Sequence, residues 1–280
     1  MSCSQCFSGS VQQGTPKGNV VKLHGLDVYV SEPEEGKPVK GIIIIIPDAF
    51  GWEFPNNRFL ADHYAEKGSY KVYLPEFMNG NAAPHWVPGM LSSLFEGGGL
   101  WTWLAKPYQV AWLIYGMIPF VARNTFGKSW PIVKDFFTAV RENEGAHLPI
   151  GAAGFCWGGK HTLNLAQGYE SNGKPLIDAG FTAHPSNLEI PAEIEKIKKP
   201  VSFAIGDKDI QVRPPHIEQI RQIVEAKPEG ERGEVKTYYG AGHGFAVRAD
   251  HILKEAKQQA DEAEDQAIDW FNRHFQGLSY

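Results

Sequence analysis

Ile150-Gly151-Ala152-Ala153-Gly154-Phe155-Cys156-Trp157-Gly158-Gly159 is a short apolar run that ends in a glycine-framed cysteine. It has the form of a nucleophile elbow, with cysteine in the place that serine usually holds. An elbow sets its central residue on a sharp, strained turn from strand to helix, so the flanking positions must be small. Gly154 and Gly158 stand two residues either side of Cys156, and Gly159 lets the helix leave close to the strand. The stretch therefore proposes a nucleophile, an α/β fold and acyl-transfer chemistry together.

Outward from the elbow, strand and helix signals alternate. Gly41 to Pro47 encloses five consecutive isoleucines. A β-branched apolar run bounded by Gly and Pro reads as a central strand buried on both faces. Further strands are expected at 26–31, 70–74, 150–153, 179–183, 201–205 and 235–239. Helices are expected at 56–67, 132–142, 159–168, 215–226 and 250–275. This alternation predicts a mostly parallel sheet with helices on both faces. Ligands of such sheets bind at the carboxyl ends of the strands. At 280 residues the chain suits one large domain. Residues 1–20, rich in Gly, Ser and Gln, are expected to form an N-terminal arm, and 21–280 the α/β domain.

One segment, about 79–130, breaks the alternation. It carries Trp86, Trp101, Trp103, Trp112 and Trp130 with Gly97-Gly98-Gly99, and Val110–Ala122 within it is almost wholly apolar. That run is too short to span a bilayer as a helix, which needs about 20 residues. The segment reads as an inserted helical subdomain, a mobile aromatic lid over the site, or a contact with a membrane surface or a second copy of the chain.

A hydrophobic content of 42% and a charged content of 21% are those of a soluble globular protein. The net charge of −5 argues against a nucleic-acid partner, which needs a basic surface. The cysteines are Cys3, Cys6 and Cys156. So low and odd a count reads as intracellular, and the first 18 residues lack the basic and apolar blocks of a secretory signal. A cytoplasmic protein is therefore expected. Cys3 and Cys6 form a CxxC without the further ligands that a zinc site needs.

A thiol acts as a nucleophile only after losing its proton, and a free cysteine has a pKa of about 8.5. The following helix offers Cys156 a favourable dipole. The remaining need is a histidine oriented by a carboxylate, which α/β-hydrolases supply in the order nucleophile, acid, histidine. Gly206-Asp207-Lys208-Asp209-Ile210-Gln211-Val212 follows one strand, where Asp209 is the chosen acid and Asp207 its competitor. Gly240-Ala241-Gly242-His243-Gly244-Phe245 follows the next, and glycines leave His243 free to approach the thiol. The oxyanion donors of this fold are the backbone N–H after the nucleophile and one after an earlier strand. Those select Trp157 and Ala49. Asp48 either faces the thiol and takes its proton or caps the following turn. Arg248 either pairs with an anionic substrate or is a solvated surface residue.

Together these residues resemble the dienelactone hydrolase (carboxymethylenebutenolidase) family, especially its fungal members. The resemblance runs from about Asn19 to the C-terminus. It rests on Pro47-Asp48-Ala49-Phe50-Gly51, Asn56-Asn57-Arg58, Leu60-Ala61-Asp62, the cysteine elbow, Ala183-His184-Pro185-Ser186, the Gly206–Val212 loop and Gly242-His243-Gly244-Phe245. It implies an α/β-hydrolase fold and a Cys-His-Asp triad at Cys156, His243 and Asp209. It also implies an acidic activator of the thiol, a glutamate in the bacterial prototype and Asp48 here. Arg248 resembles one of the prototype's two carboxylate-binding arginines. Phe50, Trp86, His184 and Phe245 are the further expected substrate contacts.

The reading is a hydrolase that opens an enol-lactone-like lactone or an ester through a thioester, with no metal or organic cofactor. Its partner is a small molecule, and a homodimer through the insertion is an option. The alternatives are isomerisation, cyclisation or dehydration of a polyketide-like intermediate at the same site, and a non-catalytic binding module.

Overall fold

A computed structural model describes residues 11–95, 100–250 and 252–278. Its centre is the isoleucine strand β3 (Ile42–Ile46), buried along its whole length. Strand side chains alternate between faces. Ile43 and Ile45 therefore enter one apolar layer, and Ile42, Ile44 and Ile46 the other. The run is apolar throughout because both faces are covered.

Around β3 lie β1 (Asn19–Leu23), β2 (Leu26–Ser31), β4 (Lys71–Pro75), β5 (Ile150–Phe155), β8 (Ala179–Ala183), β9 (Val201–Gly206) and β10 (Glu234–Tyr238). They form an eight-stranded sheet in the order β1-β2-β4-β3-β5-β8-β9-β10. β1 and β2 pair antiparallel with their neighbours, and all other pairings are parallel. A two-stranded hairpin of β6 (Glu170–Ser171) and β7 (Lys174–Pro175) stands apart. From β3 the chain goes first to β4 on one side and later to β5 on the other. The sheet therefore reverses direction at β3, which is where α/β sheets hold ligands.

Helices α1 (Pro55–Gly68) and α8 (Lys254–Phe275) bury Tyr64, Ile268 and Phe271 in the layer of Ile43 and Ile45. Helices α4 (Phe126–Glu142), α5 (Trp157–Leu165) and α7 (Pro214–Glu225) bury Phe137, Leu163 and Ile220 in the layer of Ile42. A short α6 spans Ala192–Glu195. The α/β-hydrolase fold expected from the elbow is the fold observed.

Some local expectations need correction. α4 begins at Phe126, not at 132, and continues through Pro131, which lies inside it and gives up one intrahelical hydrogen bond. α5 begins directly after Cys156, with Gly159 N–H donating to the Cys156 carbonyl at 3.0 Å. The stretch expected as an arm is tied down from Gln12 onward. Gln12 N–H donates to Asn56 Oδ1 (2.9 Å), Lys17 N–H to Asp62 Oδ2 (2.7 Å) and Gly18 N–H to Tyr29 Oη (2.6 Å). β1 escaped notice because Asn19–Lys22 are exposed, so no burial pattern marks them. Cys3 and Cys6 lie outside the described residues.

The aromatic insertion is helical. It holds α2 (Val87–Phe95), α3 (Leu100–Arg123) and the start of α4. Val87 and Leu113 join the layer shared with α1 and α8. The indole of Trp157 fastens the insertion to the elbow by donating to the Asn124 carbonyl at 2.9 Å, and Asn124 Nδ2 donates to the Asn81 carbonyl at 2.8 Å.

Candidate active site

Cys156 sits between the end of β5 and the start of α5 with φ 51° and ψ −111°. A side chain at positive φ is strained, and the surroundings must hold it there. Here β5 is locked between β3 and β8, with Ile46 paired to Gly154 and Phe155 to Ala183. α5 then has to pass close to β3. A Cβ on Gly158 would overlap the Ile46 carbonyl oxygen, so only glycine fits. The elbow expected from the sequence is thus present in its backbone geometry.

Three loops at the carboxyl edge converge on this cysteine. His243, in the loop after β10, places Nε2 3.1 Å from Cys156 Sγ. Its Nδ1 lies 3.0 Å from each carboxylate oxygen of Asp209, in the loop after β9. Asp209 is buried and also accepts the Gln211 N–H at 2.8 Å. Asp207, the competing acid, is occupied elsewhere. It accepts the Gly240 N–H at 2.6 Å and pairs with Lys208 at 2.8 Å. That bond and Lys208 N–H on the Ala241 carbonyl (3.0 Å) join the loop that carries Asp209 to the loop that carries His243.

The electrostatics favour a thiolate facing an imidazolium. Burial pushes the Cys156 thiol up, but the charges of His243 and Arg248 outweigh it and hold it below its ordinary value. Burial likewise works against the His243 imidazolium, yet the facing thiolate and Asp209 raise it to about 10. His184 packs edge-on against His243, with ring centroids 5.2 Å apart. Complete burial, and then the nearby charges of His243 and Arg248, push His184 well below its ordinary range. It is neutral and adds no second cation beside the imidazolium.

A cavity of about 380 Å³ opens above Cys156 and His243. Ala49, Phe50, Arg248, Gln211 and Ile210 line it from the sheet side, and Val87, Pro88, Leu91, Leu113, Ile114 and Met117 from the insertion. Ala49 follows β3 and Trp157 opens α5, so the two expected oxyanion donors come from the strand beside the elbow and from the elbow itself.

Of the two uses the sequence left open for Asp48, the turn cap is made, and Arg248 lines the cavity instead of lying on the open surface. They form one ion pair, with the Asp48 carboxylate wholly buried. Asp48 also accepts Asn57 Nδ2 (3.1 Å) and the Phe50 N–H (3.2 Å). Its charge opposes the Cys156 thiolate, so it anchors Arg248 and the Phe50 turn. The Arg248 guanidinium lies over the Phe50 ring, 5.1 Å from its centre. The remaining expected contacts divide. Phe50 lines the cavity. Trp86 packs edge-on against Trp112, away from the lining. His184 and Phe245 pack together behind His243, with ring centroids 5.9 Å apart.

Sequence reasoning missed Ser186, whose hydroxyl lies 3.8 Å from Cys156 Sγ and whose N–H donates to the Cys156 carbonyl at 3.1 Å. Its signal was available, since it follows the strand expected at 179–183 and parallel strands end on the same edge. The insertion residues Leu113 and Met117 carried no such signal.

The model of the dienelactone hydrolase family matches residues 26–275. The chain belongs to the dienelactone hydrolase family. That membership places it among hydrolases of ester and lactone bonds. The chain is 30% identical over 276 residues to the hydrolase tropI of Talaromyces stipitatus, covering 97% of this chain and 96% of that protein. It is 24% identical over 260 residues to the human carboxymethylenebutenolidase homolog, covering 92% and 91%. Among solved structures, a putative dienelactone hydrolase from Klebsiella pneumoniae superposes with a TM-score of 0.62 at 18% identity, covering 92% of this chain and 98% of that one. At that identity, the structural likeness speaks for the fold.

Proposed function

We propose that this dienelactone hydrolase family member opens apolar lactones or esters through a thioester on Cys156. The observation that carries this reading is the line of contacts from Asp209 through His243 to Cys156, ending under an apolar cavity. The thiolate attacks the acyl carbon, and the N–H groups of Ala49 and Trp157 receive the oxyanion. Collapse of the tetrahedral adduct breaks the acyl C–O bond. The leaving alkoxide or enolate takes the proton from the His243 imidazolium. Neutral His243 then removes a proton from water as it attacks the thioester. The thiolate departs, the imidazolium is restored, and one water has been added overall. Asp209 holds the imidazole in the productive orientation throughout.

The cavity lining speaks for an apolar substrate. Arg248, the arginine facing the cavity, is already neutralised by Asp48, so a substrate carboxylate would compete with a buried ion pair. Soaking the protein with a series of enol lactones, and reading intact mass, tests the scheme. An acyl adduct on the protein that is absent from Cys156→Ala, with product heavier than substrate by one water, is the expected result. Turnover by Cys156→Ala at the parent rate would exclude the thiol route, and a product of unchanged mass would exclude hydrolysis.

A further inference from the structure

The inner side of α3 closes the cavity through Leu113 and Met117. Its outer side is another matter. Trp103, Leu104, Tyr108, Tyr115, Ile118 and Val121 are each more than half exposed. At 1.5 Å per residue, Trp103 to Val121 spans roughly 27 Å of helix. A soluble surface rarely shows so long an apolar face, and such faces mark contacts. Ile114 of this helix and Ile210 opposite are exposed and line the cavity, so the face and the cavity mouth share a rim.

The charges say what covers it. Residues 97–134 contain Lys106, Arg123, Lys128 and Lys134 and no acidic residue, in a chain whose net charge is −5. Lys106 lies over the Trp103 ring near one end of the helix. Lys128 reaches the Ala122 carbonyl at the other end. Trp and Tyr among aliphatic residues, flanked by bases, is the composition of a helix lying in a lipid interface. A symmetric dimer would set this face against itself and bring like charges together. No helix among the described residues is long and apolar enough to cross a membrane, which leaves the surface.

We propose that the outer face of α3 docks on an anionic phospholipid bilayer, in the headgroup plane, and that the cavity draws its apolar substrate from that phase. The second half rests on the hydrolase reading above; the docking does not. Bases at both helix ends meet the anionic headgroups, while the aromatic and aliphatic side chains enter the acyl boundary. The rim at Ile114 and Ile210 then faces lipid, so a poorly soluble lactone or ester reaches Cys156 without crossing water.

Flotation of the full chain with phosphatidylcholine vesicles, with and without phosphatidylserine, tests the docking. Binding is expected with phosphatidylserine, together with a blue shift of tryptophan fluorescence and loss in high salt. Tyr115→Glu with Ile118→Glu should weaken binding at least about tenfold, while Lys106→Glu with Lys128→Glu should weaken it only on anionic vesicles. An unchanged alkylation rate at Cys156 would show that these variants fold. Cys156→Ala should bind vesicles like the parent, so failure of the chemistry and failure of the docking are separable. The proposal is overturned if neither vesicle is bound, or if sedimentation finds a dimer that Tyr115→Glu converts to monomer.

Discussion

Cys156 and His243 answer to pH as a unit, because each holds the other's charge. The thiol is depressed and the imidazole raised to about 10. A depressed thiol stays ionised until pH falls through its lowered value, so the acid side of any Cys156 reaction is set there. The imidazolium persists until pH rises through about 10. Between these limits both reactive forms are present. Alkylation of Cys156 by iodoacetamide should therefore be fast at neutral pH, where a free thiol of pKa about 8.5 is mostly protonated. His243→Gln removes the facing charge and leaves burial acting on the thiol, so its alkylation profile should move upward by more than about one pH unit. A parent profile that tracks free cysteine would contradict the ion pair.

At the scale of elements, the sheet meets the elbow at β5, and Arg141 fixes where β5 starts. Its guanidinium is buried at the end of α4 and pairs with buried Asp178 at 2.8 Å. It also donates to the carbonyls of Gly145, Leu148 and Pro175, while Asp178 accepts the Ile150 N–H at 2.8 Å. Arg141→Ala would take the opposite charge from a buried carboxylate and a donor from each of three carbonyls, and should cost about 3–5 kcal/mol in urea unfolding. The sequence did not announce this pair, nor that of Asp48 with Arg248, because each joins residues far apart along the chain. What could be read were the features with local causes. Glycine framing marked Cys156 and His243, and β-branched runs marked the buried strands. The insertion was legible as helical, but the bounds of α3 were not, because Pro107 and Pro119 lie inside it and argue against one continuous helix when only neighbours are weighed. The same local view set Trp86 and His184 among the substrate contacts, although packing takes one aside and the other underneath.

Over the whole molecule, the site is assembled from the ends of β3, where the sheet reverses, and of β5, β9 and β10, which all lie to one side of it. No single segment makes it, and its parts are tied to one another, the loop after β9 being bonded to that after β10 and the insertion to the elbow. The strained turn at its centre has a thermodynamic consequence. The backbone of Cys156 lies at φ 51°, a region that costs a side-chain-bearing residue about 1–3 kcal/mol. The folded state bears this cost as a whole, so it can be read in the melting temperature. With the thiol removed from both, Cys156→Gly should unfold at a higher temperature than Cys156→Ala, by about 1 kcal/mol in stability, reversing the usual order of the two residues. Equal melting temperatures would mean that the turn relaxes once the thiol is gone. If the order holds, selection has kept this protein short of the stability its own fold allows, and the shortfall is concentrated at the residue that reacts.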